Sequence, residues 1–350
     1  MTSGDAIFVD GSLHAGSGTI VRFSVALAAL LGRPLHLVNA RARREKPGLR
    51  PQHVAAVRAC AELCDGAAEG LSVGAREFRF APGGAIRAGS FAWDIGTAGS
   101  CTMLALGILP LACFAPGPIT ARITGGVFQD FAPSPHHMQF VLAPLLARMG
   151  AQVEIDVIRA GYVPKGSGVI ELRVRPARRG LAALRLDDPG SVREVRGIAF
   201  SSHLAERGVS ERMARACETR LCAAGLACAI ERVCDAEALH PGASLAVWAT
   251  TSTDCHFGAD RAGAPRRSSE AIGRFVAEQL LADLASGATV DRHLSDQLVS
   301  FTALAKGASS WRTPLATEHL RTNLALAERF GAKARLRGDE VEVQGLGVER

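Results

Sequence analysis

Apolar positions recur at helical spacing across Thr19–Leu31, a stretch whose one charge is Arg22, and give way to a strand at Leu35–Asn39. A second helix is predicted over Arg50–Cys64, followed by a β-rich end near Leu71–Phe80. The same order returns with a glycine turn at Gly96–Ser100, a helix over Cys101–Phe114, a strand at Ile119–Thr124, a helix over Ser134–Met149, and strands at Val153–Ile158 and Val169–Val174. It returns once more as helix Leu294–Ala305, strand Ser309–Leu315, helix Glu318–Phe330, and strands Ala334–Leu336 and Glu340–Val343. Each copy reads as a sheet with two helices on one face. No copy buries that face alone, so the three are expected to pack together. Ser191–Gly287 interrupts the third copy with a strand–helix–strand–strand–helix order of its own. The expected architecture is a layered α/β protein. Three repeated units of a four-stranded sheet with two helices fill residues 1–190 and 288–350, and a small inserted α/β domain fills 191–287.

Composition narrows the class. The chain has 350 residues, 48% of them hydrophobic, which suits a globular protein with a large core. The apolar run Leu104–Phe114 is too short to span a bilayer and is followed by a breaker at Pro116, so no membrane association is expected. Met1–Asp5 lacks the features of a signal peptide. The nine cysteines show no Cys-x-x-Cys spacing, which suggests free thiols and a reducing, cytoplasmic setting. The net charge is +6, and Arg41, Arg43, Arg44, Lys46 and Arg50 crowd one loop, with Arg22 on the helix before it. That cluster reads either as a solvated loop or as an anion site for phosphates, nucleic acid included. A single Tyr and three Trp argue against a broad base-stacking platform.

Several positions carry candidate chemistry. Asp10-Gly-Ser-Leu-His-Ala-Gly-Ser-Gly18 lies between a strand and a helix, where backbone N–H groups can cradle phosphate oxygens. It has neither the Walker nor the Rossmann glycine spacing. Gly96-Thr-Ala-Gly-Ser-Cys-Thr102 is the equivalent turn of the second copy, a second anion site or an ordinary helix cap. His319 falls in the first turn of the last long helix, where the helix terminus disfavours the imidazolium and leaves a neutral nucleophile. It also reads as a surface histidine beside a cap. Asp296 and Gln297 open the first helix of the same copy and can orient an imidazole, hold a metal or ribose, or act as first-turn residues. His136-His137 and Cys255-His256 diverge on their elements and find no third ligand at metal spacing.

These residues resemble the RNA 3'-terminal phosphate cyclase family over nearly the whole chain. The resemblance rests on Asp10-Gly…Gly16-Ser-Gly18…Arg22, on Lys46-Pro-Gly-Leu49 with Gln52-His53, and on Gly96–Thr102 including Gly99 and Ser100. Further matches are Gly125-Gly126…Ala132-Pro133, Gly161-Tyr-Val-Pro164, Asp296-Gln-Leu298 and His319…Thr322-Asn323. It implies three α/β units with a small domain inserted in the third. It also implies a three-step reaction: a histidine takes AMP from ATP, the AMP passes to the 3'-phosphate of an RNA, and the adjacent 2'-hydroxyl closes a 2',3'-cyclic phosphate. The matching nucleophile is His319. By the same match Arg22, Arg41, Arg44 and Gln52 contact phosphate or ligand, and Pro133, His293, Asp296 and Gln297 surround the nucleotide. ATP, a divalent Mg or Mn ion and an RNA with a 3'-phosphate end are the implied ligands; the oligomeric state stays open, a homodimer included.

The departures from the family pattern bear on the metal. The position of the family's metal-binding glutamate is Ala15, and a glutamine near the same site is Leu106. A methyl group cannot coordinate a divalent cation. Thr19, Ser17, His293, Ala160 and Ser167 also differ from the family pattern. Two alternatives therefore stand beside the cyclase reading: a non-catalytic, cyclase-like RNA-binding or assembly factor, and a nucleotidyl transferase acting on another terminal phosphate.

Overall fold

The computed structural model describes residues 6–349. Unit one runs β1 (Ile7–Asp10), α1 (Gly18–Leu31), β2 (Leu35–Val38), α2 (Pro51–Leu63), β3 (Ala67–Glu69) and β4 (Phe78–Ala81), and its sheet order is β1-β2-β4-β3. β1 pairs with β2 in parallel, Ile7 opposite Leu35, and the other pairings are antiparallel. Helix α1 touches α2 of its own unit and helices of both other units, which explains why its sequence is apolar on nearly every side. The β-rich end expected near Leu71–Phe80 resolves into two short strands on either side of a turn-rich stretch.

Unit two repeats the order: β5 (Gly89–Asp94), α3 (Cys101–Cys113), β6 (Ile119–Gly125), α4 (Pro135–His137), a π-helical stretch Met138–Leu142, α5 (Ala143–Met149), β7 (Gln152–Arg159) and β8 (Gly168–Arg175). Its sheet order, β5-β6-β8-β7, matches that of unit one. The helix expected over Ser134–Met149 is broken because Pro144 has no N–H to offer the carbonyl four residues back, inside the π-helical stretch. Strand β5 escapes the sequence pattern because it is an edge strand with one buried side chain, Phe91.

The interrupting segment contains β9 (Val192–Ser202), α6 (Val209–Cys222), β10 (Ala229–Asp235), β11 (Gly242–Thr251), β12 (His256–Ala262) and α7 (Ser269–Ala285), with a sheet of its own in the order β10-β9-β11-β12. It holds one strand more than the pattern predicts. Gly258 hides β12 from a periodicity reading, yet a Cβ there would lie 2.6 Å from the His137 ring, so the close approach requires glycine. This segment meets unit two through Phe140 stacked on Trp248 at 4.2 Å and through Tyr162 Oη at 2.8 Å from Ser202 Oγ, which in turn donates to Asp235.

Unit three supplies α8 (Leu294–Thr302), β13 (Ala308–Arg312), α9 (Glu318–Arg329), β14 (Lys333–Arg337) and β15 (Glu340–Gln344), in the order β13-β15-β14. The remaining sheet position belongs to residues 182–186, which bridge β13 in parallel at Ala182–Lys306 and Arg185–Ser310. There Leu186 N–H donates to the Ser310 carbonyl and Ser310 N–H to the Leu184 carbonyl, both at 2.9 Å. The chain thus leaves the third unit after its first strand position and returns at its first helix. No helix among the described residues is long and apolar enough to cross a membrane.

Candidate active site

The site begins at the turn between β1 and α1. Asp10 Oδ1 accepts from Ser12 N–H at 2.9 Å and Asn39 Nδ2 at 3.1 Å; the backbone bond from Ser12 leads in holding its carboxyl below the usual range. Gly16 has φ +49° and leaves room for Arg43, whose Cβ would lie 2.6 Å from a Cβ at that position. Arg43 Nη1 then donates to the His14 carbonyl at 2.8 Å. Gly18 opens α1 directly over a buried histidine: a Cβ there would lie 2.0 Å from His53 Nε2. His53 Nδ1 accepts from Arg50 N–H at 3.1 Å, and burial, with Arg22 and Arg41 nearby, holds the ring well below the usual histidine range.

Helix α9 is fastened onto this turn. Thr317 caps it by accepting from Leu320 N–H at 3.0 Å, which puts His319 in the first turn. His319 Nδ1 stands 3.4 Å from Ser17 Oγ. Ala15 N–H donates to Thr322 Oγ1 at 3.1 Å, Thr19 Oγ1 donates to Asn323 Oδ1 at 3.3 Å, and Asn323 Nδ2 donates to the Asp296 carbonyl at 2.8 Å. The three contacts from Ala15, Ser17 and Thr19 therefore set α9 and its imidazole against the first glycine turn. Burial, then Arg44, Arg22 and His293, lower the His319 pKa to about 4, so the ring is neutral at physiological pH.

Arg22 enters the same space from α1. Its stem passes Gly107, where a Cβ would sit 3.4 Å from Arg22 Cδ, and its Nη2 meets Met103 Sδ at 3.2 Å. It forms no ion pair among the described residues. Burial lowers its pKa to about 10, with Asp296 opposing that shift. Asp296 is itself pushed up to about 8 by burial and by Asp291, against His137 and Arg22. Gln297 is 7% exposed and its Oε1 is buried without a partner. An acceptor left unmade at that depth fits a ligand N–H.

The second turn lies alongside. Ser100 N–H donates to Gln52 Oε1 at 2.9 Å, Gly99 leaves space for the Gln52 side chain (a Cβ would lie 2.9 Å from Gln52 Cβ), and Ser100 Oγ caps Met103 N–H at 3.1 Å. Arg41 Nη1 donates to the Lys46 and Gly48 carbonyls at 2.8 and 2.7 Å, so this guanidinium ties its own loop. Arg44 is exposed and free of ion pairs among the described residues. Pro133 precedes Ser134, whose N–H donates to Asp260 Oδ2 at 2.7 Å. Three residues on, His137 Nε2 lies 3.0 Å from Asp291 Oδ2 in full burial, and Asp291 also accepts from the backbone N–H groups of Gly258, His293 and Leu294. Burial opposes protonation of His137, but Asp291 outweighs it and raises the ring's pKa.

His319, Arg22, Arg44, His293, Asp296, Gly16 and Gly18 thus come together, while Gln52, Gly99 and Ser100 form a neighbouring group. Pro133 is joined to the first group through the Asp260 and Asp291 bonds. Ser17, His53, Thr322, Asn323 and the His137–Asp291 pair also build the site; the sequence placed His53, Thr322 and Asn323 only in matching motifs, Ser17 only among the departures, and weighed His137 only as a metal ligand. In the structure the His53 side chain accepts from the N–H three residues earlier, a reversed capping bond at the start of α2. The donor set does not fit a metal held by protein alone. Among the described residues no three His, Cys, Asp or Glu side chains converge. Of the carboxylates that bear on His319 and Arg22, Glu318 is exposed and Asp296 favours its protonated form near neutrality.

Fold and site together define a three-unit α/β protein with glycine turns, unpaired arginines and a neutral histidine, a set suited to handling phosphates. The family model described as RNA 3'-terminal phosphate cyclase matches residues 13–335. A protein of that name from Hyperthermus butylicus is 40% identical over 92% of this chain and 90% of its own length. Another, from Pyrobaculum aerophilum, is 36% identical over 99% of this chain and 100% of its own, and one from Methylococcus capsulatus is 36% identical over 92% and 90%. The chain belongs to the RNA 3'-terminal phosphate cyclase family.

Proposed function

We propose that this chain closes the 3'-phosphate of an RNA into a 2',3'-cyclic phosphate at the expense of ATP. The observation that carries the proposal is the neutral His319, held between the first glycine turn and the arginines Arg22 and Arg44. In the tautomer that carries its proton on Nδ1, facing Ser17 Oγ, Nε2 keeps its lone pair free. That nitrogen attacks the α-phosphorus of ATP, the bond to pyrophosphate breaks, and AMP is left on His319. Arg22 and Arg44, without carboxylate partners, offset the phosphate charge that builds in this step. The unpartnered Gln297 Oε1 supports a ligand amino group beside it. The RNA 3'-phosphate oxygen next displaces His319 and takes the AMP. The neighbouring 2'-hydroxyl then loses its proton, attacks the activated phosphorus and expels AMP, so every bond formed is matched by one broken. A low His319 pKa favours both halves: the ring attacks without first losing a proton and leaves readily once displaced.

A second reading, an RNA-binding factor that keeps the fold without turnover, is favoured by the lack of a converging carboxylate set around Ala15. One experiment separates the two. Purified protein is incubated with α-labelled ATP and Mg²⁺ or Mn²⁺, then run under denaturing conditions beside His319→Ala. Acid-labile label on the wild type alone supports the cyclase; a folded wild type that binds RNA and takes no label with either ion supports the binding factor.

A further inference from the structure

One side chain is out of keeping with the rest of the surface. Phe131 is 100% exposed and sits at φ +64°, a backbone region that bulky residues rarely occupy. The other exposed phenylalanines have intramolecular partners: Phe8 meets His36 edge-on at 5.6 Å, and Phe275 carries the Arg261 guanidinium 4.4 Å above its ring. Phe131 has no ring or cation partner among the described residues.

The loop bearing it is nonetheless held in place. Asp130 receives Arg267 Nη2 at 2.8 Å and Nη1 at 3.1 Å, with Arg261 Nε 3.4 Å away, so a forked ion pair fastens the unit-two loop to the turn between β12 and α7. Next to Arg267 in the chain, Arg266 is exposed, also at positive φ (+65°), and forms no ion pair among the described residues. Phe131 and Arg266 are thus each one residue from the same anchor, one in unit two and the other in the inserted segment. Arg261 and Arg267 share the single carboxylate of Asp130, Asp260 accepts from the Ser134 N–H, and Arg266 has no carboxylate partner among the described residues. The loop leads directly to the active site: Ser134 is bonded to Asp260, His137 to Asp291, and Asp291 to the backbone of His293, which bears on His319.

We infer that Phe131 and Arg266 form a stacking-and-phosphate platform for the single-stranded RNA nucleotides that lie upstream of the reacting 3' end. An aromatic face takes any base, and a neighbouring cation takes the backbone phosphate, which is the chemistry single-strand binding uses. The ion pair at Asp130 keeps the two elements in register across the junction with the inserted segment. This inference rests on the RNA substrate proposed above, and its test is kept apart from turnover.

The probe is a fluorescent single-stranded RNA of about ten nucleotides, ending in a 3'-phosphate or a 3'-hydroxyl, titrated by anisotropy. A dinucleotide ending in a 3'-phosphate serves as competitor. Phe131→Ala is expected to weaken binding of the longer RNA with either end about tenfold, and Phe131→Tyr to restore it. Arg266→Gln is expected to reduce the slope of log affinity against log salt by about 0.7. Neither variant changes competition by the dinucleotide or the labelling of His319 by ATP. Unchanged binding of the longer RNA by Phe131→Ala, an equal loss for the longer RNA and the dinucleotide, or a wild type that binds no single strand overturns the platform. A wild type that takes no label from ATP but binds the longer RNA through Phe131 overturns the cyclase reaction and supports the platform.

Discussion

His319 Nδ1 lies 3.4 Å from Ser17 Oγ, a contact spanning 302 residues of sequence and one of three that join the last long helix to the first glycine turn and the start of α1. The bond is long, and its worth is in fixing the ring's direction. Ser17→Ala is expected to slow label transfer from ATP about fivefold, the worth of one ordinary hydrogen bond, with little change in ATP affinity. Single-turnover labelling at saturating ATP reads this directly, and an unchanged rate removes Ser17 from the mechanism.

Gly18 and His53 are packed so closely that a methyl group at Gly18 would fall on Nε2 of the ring, 2.0 Å away. Gly18→Ala is expected to destabilise the fold by about 1–3 kcal/mol through overpacking. Because the clash is with one side chain, His53→Ala in the same protein relieves it. A double-mutant cycle in urea is expected to give a favourable coupling of about 1 kcal/mol or more.

His136 packs beside the rings of Phe128 and Phe200, at 5.6 and 6.4 Å, with Nδ1 buried and unpartnered. Burial lowers its pKa to about 4. The unfolded chain takes up this proton near 6.5 and the folded chain only near 4, so the stability His136 contributes is complete above 6.5 and drains away as pH falls through that window. His136→Phe keeps an aromatic ring in place and is expected to lessen the drop in Tm between pH 6.5 and 4.5. His53 and His319 shift in the same direction and keep part of that drop.

Asp296 titrates the opposite way. Its pKa rises from 3.8 to about 8, with burial the leading cause and Asp291 the next. The folded chain therefore holds a proton that the unfolded chain has released, and stability falls as pH climbs from 4 towards 8. Asp296→Asn removes that loss. Urea unfolding at pH 5 and pH 8 is expected to show a smaller difference between the two pH values in the variant than in the wild type.

The repeats were legible because helical and strand periodicities follow one another in the same order each time, and that order holds in the structure. What escaped was local or tertiary. Strand β5 shows too few buried positions to reveal itself, and Gly258 in β12 conceals a strand for the same reason that it admits His137. At the site, the glycine turns, Arg22 and His319 were readable as chemistry out of keeping with their surroundings. The fastenings at Ser17, Thr322 and Asn323 were not, since each depends on a partner about three hundred positions away. Arg41 was expected to face a ligand, and the structure adds a local tie that the sequence did not reveal: its Nη1 donates to the Lys46 and Gly48 carbonyls of its own loop.

The pairing of residues 182–186 with β13 has a consequence for synthesis. Leu184 donates to Ser309 Oγ across 125 residues, so a strand made early waits for the whole inserted segment to leave the ribosome before its neighbour arrives. Units one and two can assemble while the chain is still growing, but α9 and its histidine follow only after the inserted segment, with β14 and β15 behind them. A nascent chain therefore carries its basic loop well before it carries His319, and the candidate site is complete only once the third sheet has closed.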